Sequence, residues 1–267
     1  MKFLITQTVL FCTFSLLYAA PVDEAPVEEV IEGEGEDNGV GEYGEHYQGD
    51  IILTPEQEEE LANDGRDSKT GILNTNARWP KVNGYVQVPY VITGFSSGDI
   101  SKIRTGMNDI ESKTCVRFIA RSNQANFIRI ISGSGCYSYI GRIGGQQDVS
   151  LQSSGCLSHG TIMHELIHAL GYDHMQNHYQ RDTLVRINWE NIQDGRSYNF
   201  NKVNPNTFGD FGTSYDLDSV MHYGGYSFSK NGRLTIQTLN SGNQGRIGQR
   251  TRLSDGDIAR IKNMYGC

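Results

Sequence analysis

The stretch TIMHELIHALGYDHMQNHY, residues 161–179, decides the reading of the chain, because it sets His164, Glu165, His168, Gly171 and His174 at the spacing HExxHxxGxxH. A helix over residues 161–170 places His164 and His168 four positions apart on one face, where their ring nitrogens can share a metal ion. Gly171 ends that helix, since glycine takes the left-handed backbone conformation that other residues resist. The turn brings His174 back as a third ligand. Three neutral nitrogens leave a fourth tetrahedral position open, which is the grammar of a catalytic zinc rather than of a closed structural site. Glu165, between the two helical ligands, is placed to accept a proton from metal-activated water. Ile162, Met163, Leu166, Ile167, Ala169 and Leu170 make the helix a buried one. Two histidines and a glutamate in such a helix are costly unless an ion or hydrogen bonds satisfy them. Glu190 lies at a tolerable distance to replace His174 as third ligand, but the glycine turn favours His174.

The 267 residues suit one or two domains. Met1 and Lys2, the apolar run 3–18 and the pair Ala19-Ala20 read as a secretory signal, residues 1–20. That run is too short and interrupted to anchor in a membrane, and no later segment predicts a span. Residues 21–65 carry sixteen acidic side chains and no lysine or arginine, whereas residues 70–267 hold 20 basic against 14 acidic ones. The overall charge of -8 therefore hides an acidic, loosely held leader and a mildly basic domain that complements it. The basic residues are scattered, which gives no case for nucleic acid.

Cysteine usage agrees with export. Cys12 leaves with the signal, and Cys115, Cys136, Cys156 and Cys267 remain. Four cysteines permit three pairings, among which spacing does not choose. No CxxC pair supports a metal-binding cysteine cluster.

Before the zinc motif, a short helix is expected over residues 55–61 and an early strand over residues 85–92, where Pro89 favours an edge position or an irregularity. Ser96 and Asp99 resemble a capping box ahead of Ile100, Ile103, Met107 and Ile110 at helical spacing. Residues 116–119 and 127–131 read as strands. The glycine-rich runs 133–136 and 141–145 read as turns rather than a phosphate loop. Val149, Ser150 and Leu151 are taken as the strand nearest the cleft. After His174 the chain reads as loops up to Tyr215, and Ser254 with Asp257 caps a last helix through Ile258 and Ile261.

Downstream stands Ser219-Val220-Met221-His222-Tyr223. The extended zinc motif followed by a methionine turn resembles the metzincins, and SVMHY after GTIxHELxHALG is similar to the astacin family, over residues 79–267. The resemblance implies an α+β, two-lobed catalytic domain: a mixed N-terminal sheet with the active-site helix, then an irregular C-terminal lobe of loops and helix. It implies a secreted zinc endopeptidase with one zinc per chain and protein or peptide substrates. In it Glu165 is the general base, Tyr223 stabilises the oxyanion, and Met221 lies beneath the metal. It also implies disulfides Cys115 to Cys267 and Cys136 to Cys156, and an extended substrate added to the cleft-edge strand.

Family pro-segments carry an FxGD motif whose aspartate blocks the zinc. Tyr47-Gln48-Gly49-Asp50 resembles it, which makes residues 21–69 a pro-segment, Asp50 its blocking ligand and 70–267 the catalytic domain, with trimming between Arg66 and Ile72. Arg246 is placed near the pocket after the scissile bond. The expectation is a monomer without appended domains. A secreted zinc-stabilised binding protein without catalysis is the competing reading, and the presence of Glu165 and Tyr223 speaks against it. One departure stands out: Met175 replaces the glutamate that most of the family places after the third histidine, where it pairs with the freed N-terminal amine.

Overall fold

The computed structural model describes residues 44–64, 74–203 and 209–267. The expected signal, most of the acidic leader and the trimming stretch from Arg66 to Ile72 lie outside them. In chain order the strands and helices are β1 Ile51–Ile52, α1 Pro55–Asp64, β2 Lys81–Val82, β3 Tyr85–Thr93, α2 Ser97–Lys113, β4 Val116–Ala120, β5 Phe127–Ile131, β6 Cys136–Tyr139, β7 Gln146–Leu151, α3 His159–Leu170, β8 Val185–Ile187, β9 Ile236–Thr238 and α4 Asp255–Tyr265. No helix among the described residues is long and apolar enough to cross a membrane.

Among the described residues, seven strands form one mixed sheet in the order β1-β6-β7-β5-β3-β2, with β4 also on β3. The pairs β3 with β4, β3 with β5 and β5 with β7 are parallel, while β6 runs antiparallel to β7. One expectation is narrowed and another corrected. Of the two alternatives expected for Pro89, an edge or an irregularity, the structure holds the second, because β3 pairs along both sides. Its missing N–H falls at a seam, between Gln87, which donates to Pro80 O at 3.0 Å, and the β5 ladder that begins at Tyr90. The strand nearest the cleft is β6 rather than residues 149–151, which lie between β5 and β6. Cys136 falls in the run 133–136 expected as a turn, and no strand is expected over residues 137–139. Pairing with β7, and the Cys136 to Cys156 disulfide, hold these residues extended.

Helix α2 buries Ile103, Gly106, Met107 and Ile110, one stripe at helical spacing. Its cap is half the expected box: Ser96 Oγ accepts from Asp99 N–H, and the Asp99 carboxylate takes the Ser96 hydroxyl at 2.8 Å. A methyl group on Gly106 would sit 2.6 Å from Ile162 Cγ2, so this glycine lets α2 press against α3. The α3 core residues Ile162, Met163, Leu166 and Leu170 are completely buried.

The C-terminal lobe is mostly short 3-10 turns, with one element that sequence periodicity misses, the antiparallel pair β8 and β9. Helix α4 has the full capping box of Ser254 and Asp257. Cys267, just past it, is bonded to Cys115 before β4. Asp257 also reaches outward, accepting from Ser219 Oγ at 2.6 Å and Val220 N at 2.9 Å. A helix cap thereby fixes the 219–223 turn.

Candidate metal centre

Helix α3 is built to stop on time. Ser158 caps its start by accepting from Thr161 N–H, and Gly171 closes it in the left-handed region at φ 111°. Carbonyls of the last turn, orphaned by the helix end, find partners in Trp79 Nε1 at Ala169 O, Tyr265 Oη at Leu170 O and Gly141 N at His168 O. The rings of His164 and His168 stand one turn apart on a face that is wholly buried. His174 returns from beyond Gly171.

Each of these histidines has its Nδ1 against a carbonyl oxygen: His164 on Val220 O at 2.9 Å, His168 on Tyr172 O at 2.7 Å, His174 on the Gln48 side-chain oxygen at 2.8 Å. Carbonyls only accept, so each Nδ1 carries the proton and each Nε2 presents a lone pair. The Nε2 atoms converge, with His164 3.1 Å from His168 and 3.2 Å from His174. Lone pairs facing one another in a dry site repel, and a cation between them removes the conflict. Tetrahedral zinc with arms of about 2.05 Å needs nitrogens about 3.3 Å apart. The three histidines fit it.

Asp50 is brought into the same space. Its Oδ2 lies 3.1 Å from His164 Nε2 and 3.2 Å from His174 Nε2, and its Oδ1 3.7 Å from His168 Nε2. Ligand atoms of the four residues all fall within 4.8 Å of one another. Burial alone would raise the Asp50 carboxyl; positive charge on the facing imidazoles, His174 first, would hold it well below the usual carboxylate range, and a cation held by the neutral rings supplies that charge instead. It therefore meets them as an ionised oxygen donor. Glu190 is exposed on a separate turn, outside this cluster.

Glu165 is completely buried on α3, next to His164 and one turn before Ala169. The Tyr223 hydroxyl donates to Gln48 O, and its ring centroid is 4.6 Å from that of His174. Met221 is buried, its carbonyl accepting from Met175 N–H at 2.9 Å. Arg246 is paired with Asp218 through Nε at 3.1 Å and Nη2 at 2.5 Å. Three contributors escape a sequence reading: Gln48, a free position of the YQGD motif; Asp173, an acid directly before the third histidine; and Asp257 through Val220. Only Asp173 offered a signal, a carboxylate beside the candidate ligand His174.

The family model for the Astacin peptidases matches residues 72–266. The chain belongs to the astacin family. High choriolytic enzyme 1 of Oryzias latipes is 46% identical over 192 residues, covering 71% of this chain and 70% of that protein. Zinc metalloproteinase nas-4 of Caenorhabditis elegans is 38% identical over 236 residues, covering 87% and 71%. The solved structure of the medaka enzyme, described as a hatching enzyme zinc-protease, superposes with a TM-score of 0.69 at 44% identity, over 73% of this chain and 96% of that one. Myroilysin, at 18% identity and a TM-score of 0.51, shares the fold, over 74% of this chain and 98% of its own. This astacin is accordingly a zinc metalloendopeptidase of the α+β class.

Next to the centre lies His222, which accepts from Tyr215 Oη at 2.6 Å and donates to Tyr223 O at 2.7 Å. Burial pushes its pKa from 6.5 down to about 4. The unfolded chain therefore takes up the proton first, so stability is full above pH 6.5 and falls as pH drops towards 4. The depression corresponds to roughly 3 kcal/mol. Thermal unfolding from pH 7 to 4 is expected to show this slope, and His222→Gln to lessen it, leaving the share of His178, whose pKa burial likewise pushes down to about 4. Equal slopes would contradict the assignment.

Proposed function

We propose that this astacin is exported as a latent monomeric endopeptidase, with a signal at residues 1–20, a pro-segment at 21–69 and the catalytic domain at 70–267. The observation that carries latency is the Asp50 carboxylate seated among three metal-ligating histidines. Neighbouring contacts support it. Ile51 and Ile52 pair in parallel with Ser138 and Tyr139 on the cleft-edge strand, where an extended substrate would add. Glu45 pairs with Arg196, and the Tyr47 ring stacks on Tyr198 at 6.4 Å. The acidic leader and basic domain add an attraction that raised salt would screen.

His164, His168 and His174 would hold the zinc, which when bound polarises the scissile carbonyl and acidifies a water. Glu165 accepts the water's proton and passes it to the leaving amine. Tyr223, once the Gln48 carbonyl no longer occupies its hydroxyl, donates to the oxyanion. Tyr223→Phe is therefore expected to lower kcat about 100-fold with a small change in KM, the cost of one oxyanion donor. A change confined to KM would remove Tyr223 from this role.

Cutting within residues 66–72 and separating the pieces tests latency: peptide hydrolysis should rise by orders of magnitude. The rise should be similar whichever bond between Lys69 and Ile72 is cut. Met175 is buried with its sulfur 3.6 Å from Nη2 of the buried Arg260, so the side chain at this position offers a new ammonium no carboxylate. No rise on cutting would end the latency reading, and a sharp optimum at one N-terminus would end the second claim.

A further inference from the structure

We propose that Asp173 is a positioning residue that takes over His174 from Gln48 when residues 44–52 leave the cleft, an inference that rests on the pro-segment reading above. The three metal ligands are not held alike. His164 and His168 donate from Nδ1 to Val220 O and Tyr172 O, main-chain atoms of the catalytic domain. His174 donates to Gln48 Oε1 at 2.8 Å, an acceptor carried by the departing segment. Removing that segment strips the outer hydrogen bond from one ligand of three. That N–H then needs a new acceptor.

The replacement is already beside it. Asp173 Oδ1 lies 3.9 Å from His174 Nδ1 and accepts the His174 main-chain N–H at 2.6 Å. Its Oδ2 faces Gln48 Nε2 at 3.5 Å, so this carboxylate loses a neighbour in the same event. The freed Nδ1–H is thus left next to a carboxylate that has lost its Gln48 neighbour. Closing by about 1 Å brings them to an ordinary N–H···O distance. The new bond is charge-assisted where the amide bond was not. A carboxylate behind a ligating imidazole fixes its tautomer and orientation and raises its basicity, and losing such a partner lowers metal affinity about 10–100-fold. Gln48 would hold His174 in the latent chain, and Asp173 in the mature one.

The test compares wild type, Asp173→Asn and Asp173→Ala, each uncut and cut, by zinc dissociation constant in chelator competition and by the visible spectrum of the cobalt-substituted protein. In the cut form Asp173→Ala is expected to weaken zinc about 10–100-fold and shift the cobalt bands, with Asp173→Asn recovering part of both. In the uncut form both should change less than about threefold, until Gln48→Ala is added. Unchanged zinc affinity and cobalt spectrum in both cut variants would overturn the proposal. So would equal losses in cut and uncut forms, which would make Asp173 a support of the local backbone only. Should Asp173→Ala not fold, Asp173→Asn decides on the same criteria. The latency reading fails separately, in the activity of the uncut Asp50→Ala chain.

Discussion

Glu165→Gln is expected to keep one zinc per chain and to lose peptide hydrolysis by about four orders of magnitude. Its side chain lies on α3 between two ligands but is not one of the four residues whose donor atoms converge. The substitution removes proton-accepting capacity while preserving shape, in a helix whose ends are capped and whose carbonyls are satisfied elsewhere. A positioned general base contributes up to about 10⁴-fold. The loss should appear in kcat with KM little changed, because the group acts on the travelling proton rather than on the bound peptide. Metal analysis and steady-state kinetics of the cut enzyme together check this. Near-normal turnover, or loss of zinc along with activity, would remove Glu165 from the base role.

Asp50→Ala in the uncut chain is the second large effect. A carboxylate oxygen within 3.1–3.2 Å of two ligating nitrogens occupies the position that water or substrate needs. Without it the fourth position opens to water, and the uncut protein should gain hydrolysis that the uncut wild type lacks. Activation should remain below that of the cut enzyme. Ile51 and Ile52 still pair with β6, Glu45 still holds Arg196, and the Gln48 carbonyl still takes the Tyr223 hydroxyl. Measuring uncut wild type, uncut variant and cut enzyme on one peptide separates these contributions. An uncut wild-type chain already as active as the cut one would contradict the reading.

What could be read from sequence follows the range of the interaction responsible. The histidine spacing, the Gly171 stop and the Ser254 cap are local, each decided within one or two helical turns, and the structure contains each as read. Strand β6 could not be read that way. CYSY between glycine-rich runs has the chemistry of a turn, and only β7 makes it a strand. Pro89 left edge and irregularity open for the same reason, since its tolerance depends on a gap between two partners of β3 that sequence does not show. The outer ring of the centre was least legible: Gln48 meets His174 across 126 positions, and Asp257 meets Val220 across 37. Val220 and Tyr172 act there through main-chain carbonyls, which every residue possesses, so side-chain identity carried no hint.

In the proposed uncut chain, zinc is held by His164, His168 and His174 and closed off by Asp50. Anomalous diffraction at the zinc edge from crystals of the uncut protein tests it most directly. The expected result is one peak among the three Nε2 atoms with an Asp50 carboxylate oxygen as fourth ligand at about 2.0–2.2 Å. A peak bound instead by Glu190, or a zinc carrying water with Asp50 displaced from it, would contradict the account.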